Sequence, residues 1–181
     1  MHTRAAAPAP NHRRPMYRQT LASSTAMASV LDWRDEWTLH VRFMDDDHRC
    51  LAGQLQRIAA DVARLGPAQR RGGDKQLLDD LDALAALVRS HFVREEEVMQ
   101  AAAYPHFESH RNEHAVLVEQ CVVLIADARA GRIDWSDPAV LPSLEHWLVA
   151  HVLDDDGLLA RYLRRCGMAG TVPQRALAVS A

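Results

Sequence analysis

From residue 44 onward, apolar side chains recur at alternating steps of three and four, the period of an α-helix with one buried face. The first stripe runs Met44, His48, Leu51, Leu55, Ile58, Val62 and Leu65; the second runs Leu77, Leu81, Leu84, Val88, His91, Glu95 and Val98. Phe107, His110, His114, Leu117, Cys121, Leu124 and Ala128 form the third, and Val140, Leu144, Trp147, His151 and Leu158 a looser fourth. Helix breakers fall between the stripes. Gly66-Pro67 and Gly72-Gly73 separate the first pair, Pro105 suits the first turn of the third helix, and Gly131 follows its end. Asp137-Pro138 reads as an N-cap with Pro at the first helical position, and Gly167 stops the last helix. The pattern predicts an all-α fold: an up-down-up-down antiparallel four-helix bundle over residues 32–166.

The chemistry lies in what interrupts these stripes. His48, His91, Glu95, His110, His114 and His151 stand where an apolar side chain is due, with at least one on every helix. Glu is almost never buried unless it is paired or holds a metal. Desolvating such groups in one shared interior costs several kcal/mol per charge, and a bound cation reverses that cost. HxxxE (His91 to Glu95) and HxxxH (His110 to His114) put both side chains on one helix face, about 40° apart at ~100° per residue. In a chain with ten histidines the HxxxH spacing alone carries little, since His106 and His110 repeat it. Five stripe histidines with an in-register Glu are far more specific and predict a metal site.

The donor set narrows the metal. With no thiolate among the donors, an iron–sulfur cluster and a cysteine zinc site are excluded. The ligands are too many for one tetrahedral zinc, and five His with two carboxylates suffice for two ions with the carboxylates bridging. Imidazole with carboxylate suits iron that keeps an open position for a gas or oxidant. Ferritin-like di-iron bundles are richer in carboxylate, so a nitrogen-rich site favours reversible redox binding over strong oxidation.

Composition removes other classes. Apolar residues make up 48% and charged residues 25% of the 181, ordinary for a globular chain with a full core. A net charge of −3 gives no electrostatic footprint for nucleic acid, and no stretch is apolar enough for a membrane span. Cys50, Cys121 and Cys166 form no CxxC pair and read as reduced thiols, in keeping with a cytoplasmic setting. Residues 1–31 hold four arginines, no acid and no apolar run of signal-peptide type. They read as a disordered tail, with the native start expected at Met27; residues 167–181 read as a C-terminal tail.

At this point the motifs resemble those of the hemerythrin (HHE cation-binding) family, of the standalone bacterial type. Asp45-Asp46-Asp47-His48-Arg49-Cys50-Leu51 is similar to its DxxHxxL. His91-Phe92-Val93-Arg94-Glu95-Glu96-Glu97-Val98-Met99 resembles its HFxxEExxM. Tyr104-Pro105 with His110 and His114 is similar to YP…HxxxH, and Trp147 to His151 with Asp156 to WLxxHxxxxD. The resemblance spans roughly residues 33–165. It implies two non-haem iron ions with an oxo or hydroxo bridge, one held by His110, His114 and His151 and the other by His48 and His91 with a vacancy. Glu95 and Asp156 would bridge them. The implied activity is reversible dioxygen binding for storage, delivery or sensing, which is not enzymatic; a di-iron enzyme (peroxidase, nitric oxide reductase or ferroxidase) on the same scaffold is the alternative. Any oxygen-consuming or signalling partner stays unidentified.

Several readings follow for single residues. Leu51, Leu55, Val88 and Leu117 would wall off the open iron, and Trp33, Trp37 and Trp147 would pack the bundle ends. His2, His12, His40, His106 and His146 read as solvated, and Glu96 and Glu97 as facing solvent or supporting a ligand histidine. On a regular helix Asp155 lies about 40° from His151 and Asp156 about 140° away. Helix arithmetic therefore selects Asp155 and the resemblance selects Asp156. We expect Asp156, because a bridging carboxylate must reach both ions and Gly157 offers little resistance to a local widening such as a π-turn. Asp154 and Asp155 then read as solvated charges.

Overall fold

The structure, a computed structural model, describes residues 33–171. The tail at 1–31, the start at Met27, and His2 and His12 lie outside the described residues, as does the C-terminal tail beyond residue 171. Four helical columns form the bundle: α1 (Arg42–Arg64), α2 (Lys75–Ala101), α3 (Phe107–Arg129), and a fourth built of α4 (Val140–His151), a π-helical turn (Val152–Asp156) and α5 (Gly157–Arg165). Consecutive columns run antiparallel, and no strand occurs among the described residues.

The stripes become the core. Met44, Leu51, Leu55 and Ile58 of α1 meet Leu77 and Leu81 of α2, Leu124 of α3, and Leu144 and Leu159 of the fourth column, all fully buried. Each such side chain contributes about 1.5–3 kcal/mol relative to exposure. Asp74 starts α2 as its N-cap, accepting the Leu77 amide at 3.0 Å. The distal end of the bundle is tied by an isolated bridge between Arg71 and Asp134 and by the Trp135 amide donating to the Arg70 carbonyl at 2.9 Å. At the opposite end, the Asp45 carboxylate accepts the Leu39 amide at 2.7 Å and Arg164 donates to the Leu39 carbonyl, pinning the entry segment.

Three expectations need correction. Pro105 precedes α3, which begins at Phe107; Tyr104, Pro105 and His106 form a turn, closed by Ala103 at φ 50 and by the Tyr104 amide donating to Met99 O at 2.9 Å. The fourth column begins at Val140, not Pro138: Asp137 Oδ1 accepts the Ala139 amide at 2.9 Å, so the Asp-Pro pair makes a turn just ahead of the helix. Leu158 is 49% exposed rather than core. The π-turn holds one more residue than an α-turn would, so the buried face beyond it moves on to Asp156, Leu159, Ala160 and Leu163. Gly167 does end α5, at φ 71, with the Met168 amide donating to the Leu163 carbonyl at 2.8 Å.

Candidate metal centre

All four columns send polar side chains to one point in the core. His48 comes from α1, His91 and Glu95 from α2, His110 and His114 from α3, His151 from the end of α4 and Asp156 from the end of the π-turn. Every one is buried; His48, Glu95 and Asp156 have no exposed surface. On α2 the carboxylate follows its histidine by four residues, the regular helical spacing. In the fourth column it follows by five, and the π-turn, whose bonds run from i to i+5, stacks residues five apart. Asp154 is exposed and Asp155 half-buried.

The potential donor atoms fall into two groups that share both carboxylates. Glu95, His110, His114, His151 and Asp156 form one; His48, His91, Glu95 and Asp156 form the other, with all donor atoms of a group within 4.8 Å of one another. His48 Nε2 lies 3.0 Å from Asp156 Oδ2 and 3.3 Å from His91 Nε2. His110 Nε2 and His151 Nε2 each lie 3.2 Å from Asp156 Oδ1, and His114 Nε2 lies 3.3 Å from Glu95 Oε2. These last contacts lack hydrogen-bond geometry. Both oxygens of Glu95, Oδ1 of Asp156 and Nε2 of His110, His114 and His151 are buried without a hydrogen-bond partner. So many orphaned buried donors around one point would cost about 1–3 kcal/mol each if nothing bound them. Their chemistry, neutral imidazole nitrogen and carboxylate oxygen, fits a pair of first-row metal ions.

The electrostatics carry the same strain. Burial works to lower the His91 and His151 imidazolium values, yet Glu95 and Asp156 around the one and Asp156 and Asp155 around the other lift both to about 10. Burial and the neighbouring His110 and His151 push His114 down to about 2. Burial and the facing Asp156 raise Glu95 well above the usual carboxylate range. Burial opposes ionisation of Asp156 too, but His151, His110 and His48 hold it well below that range.

Around the donors stand partners that sequence reasoning left open or missed. Glu96 Oε1 lies 3.0 Å from His114 Nδ1, so it supports a histidine as one of the two readings allowed; Glu97 is half-buried. Asp155, expected as a solvated charge, instead lies 3.7 Å from His151 Nδ1 and is half-buried, because His151 sits one turn before it. Asp47 Oδ2 lies 3.3 Å from His91 Nδ1 and was not singled out, since it falls off the α1 stripe. His40, His106 and His146 are exposed and take no part.

A cavity of about 10 Å³ opens beside His91 and His151, walled by Leu51, Val88, Phe92, Leu117, Trp147 and Leu148. Three of the four expected wall residues line it. Leu55 does not; it is buried one turn further along α1. Trp147 was expected to pack the bundle end and instead walls the cavity, one helical turn before His151. Phe92 stacks on the His114 ring, centroids 3.8 Å apart and 6° from parallel. The pairing of Phe92 with His91 in the sequence was the available signal.

Comparison with known proteins identifies the family of the bundle. A family profile described as the hemerythrin HHE cation-binding domain matches residues 39–163. The chain is 27% identical over 128 residues to a bacteriohemerythrin of Stenotrophomonas maltophilia (strain R551-3), covering 71% of this chain and 78% of that one. It is 29% identical over 123 residues to a bacteriohemerythrin of Methylococcus capsulatus (strain ATCC 33009 / NCIMB 11132 / Bath), covering 68% and 88%. A crystal structure of wild-type hemerythrin superposes with a TM-score of 0.64 at 27% identity, over 75% of this chain and 98% of that chain. With a profile match across most of its length and a buried two-group His/carboxylate cluster inside the matched bundle, the chain belongs to the hemerythrin HHE cation-binding family.

Proposed function

We propose that the protein binds dioxygen reversibly at a non-haem di-iron centre held by His48, His91, Glu95, His110, His114, His151 and Asp156. The observation that carries this reading is the small apolar cavity against His91, directly beside a nitrogen-rich donor cluster. Bound there, two iron ions would supply the redox chemistry by which dioxygen is taken up reversibly. His110, His114 and His151 would hold one ion, while His48 and His91 would offer the other one fewer imidazole. Glu95 and Asp156 reach both. The walls from Leu51, Val88, Leu117 and Leu148 offer a water molecule none of the polar partners it needs to stay. Such dryness protects a reduced centre from irreversible oxidation.

Carriage rather than catalysis is favoured by what faces the cavity: His91 and His151 are its only titratable lining residues, so no free general acid or base is placed there. Oxygen storage or delivery is the role we assign. The test is iron content together with visible spectra of the reduced protein cycled between air and vacuum. A colour that appears and reverses over several cycles is expected. Immediate irreversible oxidation, or sustained turnover with peroxide, would overturn the reading in favour of a di-iron enzyme.

A further inference from the structure

His91 is fixed from behind by a clamp that spans two helices. Its Nδ1 lies 3.3 Å from Asp47 Oδ2 on α1. The same oxygen accepts from Arg94 Nε at 2.8 Å and lies 2.6 Å from Arg94 Nη2 in an ion pair, and Arg94 Nη1 donates to Ser90 Oγ at 2.5 Å. Asp47 and Arg94 side chains are only 17% and 15% exposed, so water screens the pair weakly. Of the five clustered histidines, His91 and His114 have a carboxylate within hydrogen-bond distance of Nδ1. His48 Nδ1 and His151 Nδ1 are buried with no hydrogen-bond partner. Asp155 Oδ2 stands farther off, 3.7 Å from His151 Nδ1. Each donor group thus contains one histidine with a carboxylate within hydrogen-bond distance behind it, and the carboxylate behind His91 is held by an arginine as well.

We infer that Asp47, held by Arg94, is a positioning residue that fixes the His91 tautomer and ring angle and thereby sets the affinity of the His48/His91 metal position separately from its neighbour. A carboxylate on Nδ1–H leaves the Nε2 lone pair facing the core and makes it a stronger donor. Arg94 balances the Asp47 charge and holds the carboxylate in place against His91 Nδ1. Glu96, behind His114, plays the matching part for the other position. The inference rests on the cluster being a two-ion metal centre and is independent of what gas it binds.

The experiment is an anaerobic titration of metal-free full-length protein with Co²⁺, read by its visible absorption, in wild type and in the variants Asp47→Ala, Asp47→Asn, Arg94→Gln and Glu96→Ala. Wild type is expected to fill in two steps. Asp47→Ala should weaken one step about 10–100-fold and leave the other within about twofold, while Glu96→Ala weakens the opposite step. Asp47→Asn keeps a carbonyl that accepts from Nδ1–H and should recover part of the loss; it also carries the test should the alanine variant fail to fold. Arg94→Gln should weaken the same step as Asp47→Ala, by less. Equal loss in both steps, or no loss in Asp47→Ala and Asp47→Asn, would overturn the inference while leaving the metal centre standing. Wild type that takes up no Co²⁺ would overturn both.

Discussion

Two columns of this bundle each deliver a histidine and a carboxylate to the same buried point, and they do so differently. α2 places His91 and Glu95 four residues apart on a regular helix. The fourth column places His151 and Asp156 five apart and interrupts its α-helix with a π-turn to do it. A spacing of four needs nothing from the backbone beyond ordinary helix geometry. A spacing of five needs a local distortion, and π-turns inside α-helices concentrate at functional sites. The regular solution lies beside ordinary core leucines; the distorted one shifts which residues beyond it are buried.

If both carboxylates bridge, removing either should matter most of all. Glu95→Ala is expected to abolish binding of both ions, whereas His106→Ala, which shares only the HxxxH spacing with His110, should leave iron content at the wild-type level. Iron analysis of the purified variants decides it, and equal occupancy would mean the site is misplaced. A smaller effect should distinguish the neighbours within the π-turn. Asp156→Asn keeps the shape but removes the charge and should weaken ion binding severely. Asp155→Asn, which loses only a 3.7 Å approach to the far side of His151, should retain both ions. The reverse order would show that the carboxylate at the regular spacing does the work after all.

The same contrast explains what could be read from the chain alone. The α2 pair follows the helical period, so His91 and Glu95 stood out as polar groups on an apolar stripe. In the fourth column a regular period carried through the π-turn puts Leu158 inward, whereas it is outside. Period arithmetic has no way to register one extra residue in a turn. Asp156 came from the motif, with the widening beside Gly157 as its physical rationale. Asp47 escaped because it precedes His48 by one residue, about 100° round α1 from the core stripe. Its partner His91 is on another helix, and only packing brings them together. The cavity escaped in part for the same reason: Phe92, Trp147 and Leu148 are ordinary core residues until the helices meet.

The two columns also begin differently, which gives a milder test. α2 has the Asp74 carboxylate accepting the Leu77 amide, while α4 has no side-chain cap at Ala139. Asp74→Ala should cost about 1 kcal/mol, as loss of an N-cap does. The Leu77 amide and, against some burial, Arg64 lower the Asp74 value below 3.8. Its stabilisation is therefore complete above the unfolded value and is lost as pH falls through the folded one. Denaturant melts at pH 7 and pH 3 should show the variant's deficit shrinking at the lower pH. A deficit that persists unchanged would mean the carboxylate acts through packing alone.

The smallest expected effect bears on whether glycine is what permits the π-turn. Gly157 directly follows it with ordinary helical angles, φ −59 and ψ −38. A Cβ added there would meet Arg161 Nη1 at 3.5 Å and the Val152 carbonyl at 3.6 Å, both normal contacts. Neither backbone nor space therefore demands glycine, and the distortion must be held by its two ends: His151 and Asp156 at the cluster, and Leu159, Ala160 and Leu163 in the core beyond. Gly157→Ala should then stabilise the fold by about 0.5–1 kcal/mol, the usual gain of Ala over Gly inside a helix. For a domain of this size that is a rise of roughly 1–4 °C in melting temperature. Iron content should stay at the wild-type level. A more stable variant that has lost iron would show that the added methyl group straightens the helix, so that the π-turn depends on the flexibility of Gly157 and not on the groups that grip it from either side.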